Sequence, residues 1–168
     1  MRTAIAALLC AAMAAAGAWA QTVPPPPPLL KATHGAWEVL CYGEDDCIMT
    51  QMHRRTDETA DAVVTLFKPR DFLDDAGQPI PALVEIVVPL GVFLPGALGL
   101  QIDGNGPLAV PFERCIPDGC IVRAPIAREM LDQMRAGATA YLILSPSPEN
   151  RVRLPISLTG FSAAFDSL

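Results

Sequence analysis

Four cysteines stand in two close pairs, Cys41 with Cys47 and Cys115 with Cys120. Cysteines so spaced can cross-link a hairpin, exchange disulfides or hold a metal. Thiol exchange commonly uses two intervening residues at a helix N-terminus, where the dipole stabilises the attacking thiolate. Here the intervals are five and four residues, and Gly43-Glu44-Asp45-Asp46 in one and Pro117-Asp118-Gly119 in the other read as turns between strands. Structural cross-links are therefore the expectation. Four cysteines allow three connectivities. A hairpin with cysteine on each arm brings the Cα atoms to the ~4.4–6.8 Å that a disulfide spans. A long-range bridge would stabilise more, about 4–5 kcal/mol against about 2 for each small loop. Proximity and turn residues nevertheless favour the local pairs Cys41–Cys47 and Cys115–Cys120. A Cys41 peptide linked to Cys115 or Cys120 in a non-reducing map would exclude them.

Three other side chains could do chemistry with a metal. Met49, Met52 and His53 follow Cys47 closely, and thioether with imidazole suits copper in an oxidising compartment. On a strand, however, Met49 and His53 share one face and Met52 points to the other. The chain holds only two histidines, His34 and His53. Core methionines and a surface histidine are the plainer reading. Asp45-Asp46 and Asp74-Asp75 are loop acids without a spaced calcium loop around them. Neither G-x-S-x-G nor H-E-x-x-H occurs, and Trp37 reads as a core aromatic. No catalytic, cofactor or metal residue is assigned.

The elements that must position these residues follow a leader. Arg2 precedes the uncharged apolar run Ala4 to Ala16, and Ala18-Trp19-Ala20 is an A-x-A cleavage site. Residues 1–20 read as a signal peptide cleaved after Ala20, too short for a ~30 Å bilayer core. Cys10 lies inside the apolar run without the small neighbour that a lipid-attachment site needs, so it leaves with the peptide. Export also explains the cysteine usage. Of the 12 basic residues, losing Arg2 leaves 11 against 18 acidic, a formal charge of −7. Nucleic acid and anionic membrane surfaces want clustered Lys and Arg, so neither is an expected partner.

Residues 21–33 read as a proline-rich spacer, with Pro24 to Pro28 in polyproline II, and residues 34–168 as one domain. Within it, short runs at period two alternate with turn residues. Strands are expected at 37–42, 47–53, 62–67, 83–88, 98–103, 108–115, 120–124, 139–144 and 151–158. One helix interrupts them: Ile126, Met130 and Met134, with Ala127 and Leu131, form an apolar stripe ending before Gly137. The tail 161–168 could add a short C-terminal helix. Roughly eight or nine strands at about ten-residue spacing predict a mainly β chain folded as a sandwich with one inserted helix. Pro81 to Leu100 is hydrophobic, but Glu85 and its prolines and glycines exclude a spanning helix. Within it, Val92, Phe93 and Leu94 are expected to pack between the sheets. If exposed, they would form a docking patch.

Gly35-Ala36-Trp37 leads to Cys41, and Gln51 follows Cys47 by four residues. Pro89 to Gly96 precedes Leu100-Gln101-Ile102-Asp103; Pro111-Phe112-Glu113-Arg114-Cys115 stands with Gly119-Cys120; Ile156-Ser157-Leu158-Thr159-Gly160-Phe161 closes the chain with Ala163-Ala164. Together these segments resemble the invasion-associated locus B family of exported bacterial proteins, a resemblance that covers about residues 34–168. It implies an immunoglobulin-like β-sandwich, periplasmic, outer-envelope associated or secreted. It supplies no catalytic residues, so the expected function is a non-enzymatic module that binds an envelope or host protein. The rival expectation is periplasmic copper binding through Met49, Met52 and His53.

Overall fold

The structure is a computed structural model that describes residues 26–54, 60–74 and 76–168. The leader, its cleavage after Ala20, and Pro24 and Pro25 lie outside the described residues.

Alternation builds the strands. Trp37 and Val39 of β2 (Trp37–Cys41) point inward and Glu38 outward; Val84, Ile86 and Val88 do the same on β5 (Ala82–Val88). Between and around them lie β1 (Leu29–His34), β3 (Cys47–Arg54) and β4 (Ala60–Phe67). Further along come β6 (Leu98–Ile102), β7 (Leu108–Val110), β8 (Arg114–Ile116) and β9 (Gly119–Ile126). Helix α1 (Arg128–Ala136) precedes β10 (Thr139–Leu144) and β11 (Val152–Ser157), and α2 (Phe161–Asp166) ends the chain.

Two antiparallel sheets result. The larger runs β1-β2-β3-β4-β5-β9-β8 and the smaller β11-β10-β6-β7. Their inner faces share one hydrophobic cluster, with Trp37, Met49, Leu66 and Ile86 from the first sheet and Leu98, Leu142 and Ile156 from the second. The chain is thus mainly β, a sandwich with both helices present. Helix α1 buries Leu131 and Met134 of the expected stripe, and α2 buries Phe161, Ala164 and Phe165.

Two sequence expectations are corrected. Residues 108–115 are not one strand: β7 pairs with β6 in the small sheet, whereas β8 pairs with β9 in the large one. Pro111 has no N–H to continue a ladder, and the chain changes sheets across Pro111-Phe112-Glu113. Leu29 to Thr33, assigned to the spacer, instead form most of β1, paired from Leu29 opposite Cys41 to His34 opposite Trp37. Proline composition hid this strand, because the sheet begins directly after Pro28.

Candidate functional site

The cysteines sit at directly opposed positions of two hairpins. Cys41 faces Cys47 across β2 and β3, with Sγ atoms 1.99 Å apart, and Cys115 faces Cys120 across β8 and β9 at 2.00 Å. Cys120 lies opposite Val88, where β5 finishes. The Cys41–Cys47 turn lies instead beside the loop from β4 to β5, through Arg70 Nη2 donating to Asp45 O at 2.8 Å. The two clasps therefore hold opposite ends of the large sheet. At the first, Tyr42 N donates to Asp46 O at 2.8 Å, closing the acidic turn.

The methionines and histidine do not converge. Met49 is fully buried in the core, whereas Met52 is 45 % exposed on the other face of β3. His53 shares the face of Met49, and its Nδ1 donates to the Pro155 carbonyl of β11 at 3.1 Å. Among the described residues no group of three His, Cys, Asp or Glu side chains is placed to hold a metal. Asp74 is occupied by its own loop, its Oδ1 accepting from Ala76 N at 2.9 Å and Gln78 N at 2.8 Å.

Among the described residues a Ser–His contact joins His34 Nε2 and Ser167 Oγ at 3.1 Å. The serine hydroxyl donates to Ala163 O at 2.8 Å, so the imidazole donates to the serine rather than taking its proton. This ties β1 to the end of α2 and leaves the hydroxyl unactivated.

What the structure does bring together was visible in sequence only as separate fragments. Gln51 is a buried polar residue, 8 % exposed. Its amide grips the backbone of Ser157, donating from Nε2 to the carbonyl at 2.8 Å and accepting from the N–H at 2.9 Å. Trp37 Nε1 donates to the same carbonyl at 2.9 Å. These contacts, with His53 on Pro155, occupy the outward edge of β11. Close by, Gly35 and Gly160 pass with no room for side chains. Gly160 has φ +84°, and a Cβ there would lie 2.1 Å from His34 O. Trp37 meets Phe161 edge to face at 5.5 Å, which seats α2 on the first hairpin. The residues that carried the family resemblance at the two ends of the chain thus form one clasp between those ends. Nothing in their sequence spacing could show it, because the contacts span more than a hundred residues.

Another surface feature lies where β5 leaves the large sheet. Pro89, Leu90, Gly91 and Val92 form one wall of an apolar groove, and Leu144, Pro146, Val152 and Leu154 the other, enclosing about 450 Å³. Val92 packs against the core, and Phe93 is half-buried, its N–H donating to Ser145 O at 2.7 Å. Leu94 does not pack between the sheets as expected: it is 50 % exposed on a single 3₁₀ turn, and Leu90 is 56 % exposed. Pro95 and Gly96 turn the chain too tightly to carry Leu94 inward. Val152, at the start of the edge strand β11, is 44 % exposed.

Comparison with known proteins places this architecture. A sequence model of the family described as "Invasion associated locus B (IalB) protein" matches residues 37–168. An invasion protein B homolog of Brucella abortus is 26% identical over 161 residues, covering 94% of this chain and 89% of that protein. Invasion protein B of Bartonella bacilliformis is 26% identical over 151 residues, covering 88% and 78%. The crystal structure of invasion associated protein B from Bartonella henselae superposes with a TM-score of 0.65 at 24% identity. That likeness covers 81% of this chain and 93% of that one, and it supports the fold.

Proposed function

The chain belongs to the invasion associated locus B family, and from that premise we propose that it is an exported, non-enzymatic envelope protein that binds another protein or an envelope component. The observation that carries this reading is the open apolar groove between Pro89–Val92 and Leu144–Leu154. Leu90 and Val152 stay half-exposed at its rim although each could be polar at no cost to the core. A contiguous apolar surface kept on a rigid sandwich is what a docking site needs. The leader and the paired cysteines support export to an oxidising compartment, the periplasm or the outer envelope. No helix among the described residues is long and apolar enough to cross a membrane. The relatives' names connect those proteins to invasion; for this chain a host-directed role is part of the same proposal.

The test pairs location with binding. Fractionation should recover a chain beginning at Gln21 in the periplasmic or envelope fraction. Partners captured from envelope extracts by the intact protein should be lost with Leu90→Asp and Val152→Asp, while the melting temperature stays unchanged. Capture unaffected by both substitutions would overturn the groove as the binding surface.

A further inference from the structure

The end of the sandwich opposite that groove carries a second, differently charged apolar surface. Three segments meet there: the start of β1, the Cys41–Cys47 turn and the loop from β4 to β5. They expose Leu29, Leu30, Tyr42, Phe72 and Leu73, each more than half accessible. Interleaved with them stand Glu44, Asp45, Asp46, Asp71 and Asp74, all exposed. The cations of these three segments have partners of their own, Lys31 Nζ donating to Ser167 O at 2.8 Å. Arg70 binds Asp45 through its carbonyl at 2.8 Å and its carboxylate at 4.0 Å, and Lys68 lies over the Phe165 ring at 4.9 Å.

We propose that this acid-ringed apolar end docks a cationic amphipathic segment of a partner protein. Charge decides among occupants. A second copy meeting this end would bring like charges together, and an anionic bilayer would be repelled. A partner offering apolar side chains flanked by Lys or Arg satisfies both parts of the surface. The surface is also pre-organised, which lowers the entropy cost of binding. The disulfide closes the acidic turn, and Ile80 N donates to Phe72 O at 3.0 Å while Asp74 caps its own loop.

The test titrates ¹⁵N-labelled protein, expressed from its full coding sequence, with three probes: a Lys/Leu amphipathic peptide, its Glu/Leu counterpart, and phosphatidylglycerol vesicles. The Lys/Leu peptide should shift amides of residues 29–30, 42–46 and 70–74, and the other two probes should shift none. Phe72→Ser with Leu73→Ser, both exposed, should fold normally and weaken Lys/Leu binding about tenfold. Asp45→Asn with Asp46→Asn should remove most of its salt dependence. The proposal is overturned by no binding, by shifts scattered or centred on Pro89–Val92, by equal binding of the Glu/Leu peptide or vesicles, or by affinity unchanged in the serine variant.

Discussion

At the scale of single residues, the side chains that looked most reactive are used as braces. His53 spends its Nδ1 proton on the Pro155 carbonyl, and Met49 has no exposed surface. Copper titration of the purified protein should therefore show no stoichiometric site, and His53→Ala should leave the titration unchanged while lowering stability. Stoichiometric binding lost in that variant would restore the copper reading. Gln51 is the more consequential polar residue. Replacing it by Leu leaves the N–H and carbonyl of Ser157 without its amide, and a buried unsatisfied group costs about 1–3 kcal/mol. Urea unfolding of Gln51→Leu should show a loss in that range, and Gln51→Glu should not fully rescue it, since a carboxylate cannot donate to the carbonyl.

At the scale of elements, the informative pieces are the terminal helix and the glycine crossing that seats it. Gly160→Ala would place a Cβ against the His34 carbonyl in a backbone conformation that disfavours side chains, so it should destabilise strongly, by about 2–4 kcal/mol. Helix α2 is further tied to α1 by Arg135 Nη2 on Asp166 at 2.6 Å. That hydrogen bond is the main cause that holds the Asp166 carboxyl below its ordinary value; burial opposes it in part, and the charges of Arg135 and Lys68 add to it. A depressed carboxyl stabilises the fold above the unfolded value of about 3.9, and the contribution fades as pH falls through the lower folded value. Unfolding measured from about pH 6 down to about pH 3 should therefore show a smaller loss for Asp166→Asn than for the unaltered protein. Exposure of the pair keeps the difference small.

At the scale of the whole molecule, two sheets, two clasps at opposite ends and one end-to-end contact make the sandwich a rigid platform with different surfaces at its two ends. Replacing either cysteine pair by serine should cost about 2 kcal/mol, as expected for a short closed loop, without changing the fold seen by circular dichroism. The Cys41–Cys47 variant alone should also weaken Lys/Leu peptide binding, because it frees the acidic turn. By itself the sequence determined what is local: period-two alternation marked most strands, an apolar stripe marked α1, and turn residues between cysteines marked the hairpins. Composition at Pro24 to Pro28 masked β1, and a single apolar run masked the change of sheet at Pro111. Only the tertiary structure decided which surfaces stay open and that Trp37, Gln51 and Ser157 meet. The reason is physical: alternation says which side of a strand is apolar, but exposure and long-range hydrogen bonds depend on what another, distant strand covers.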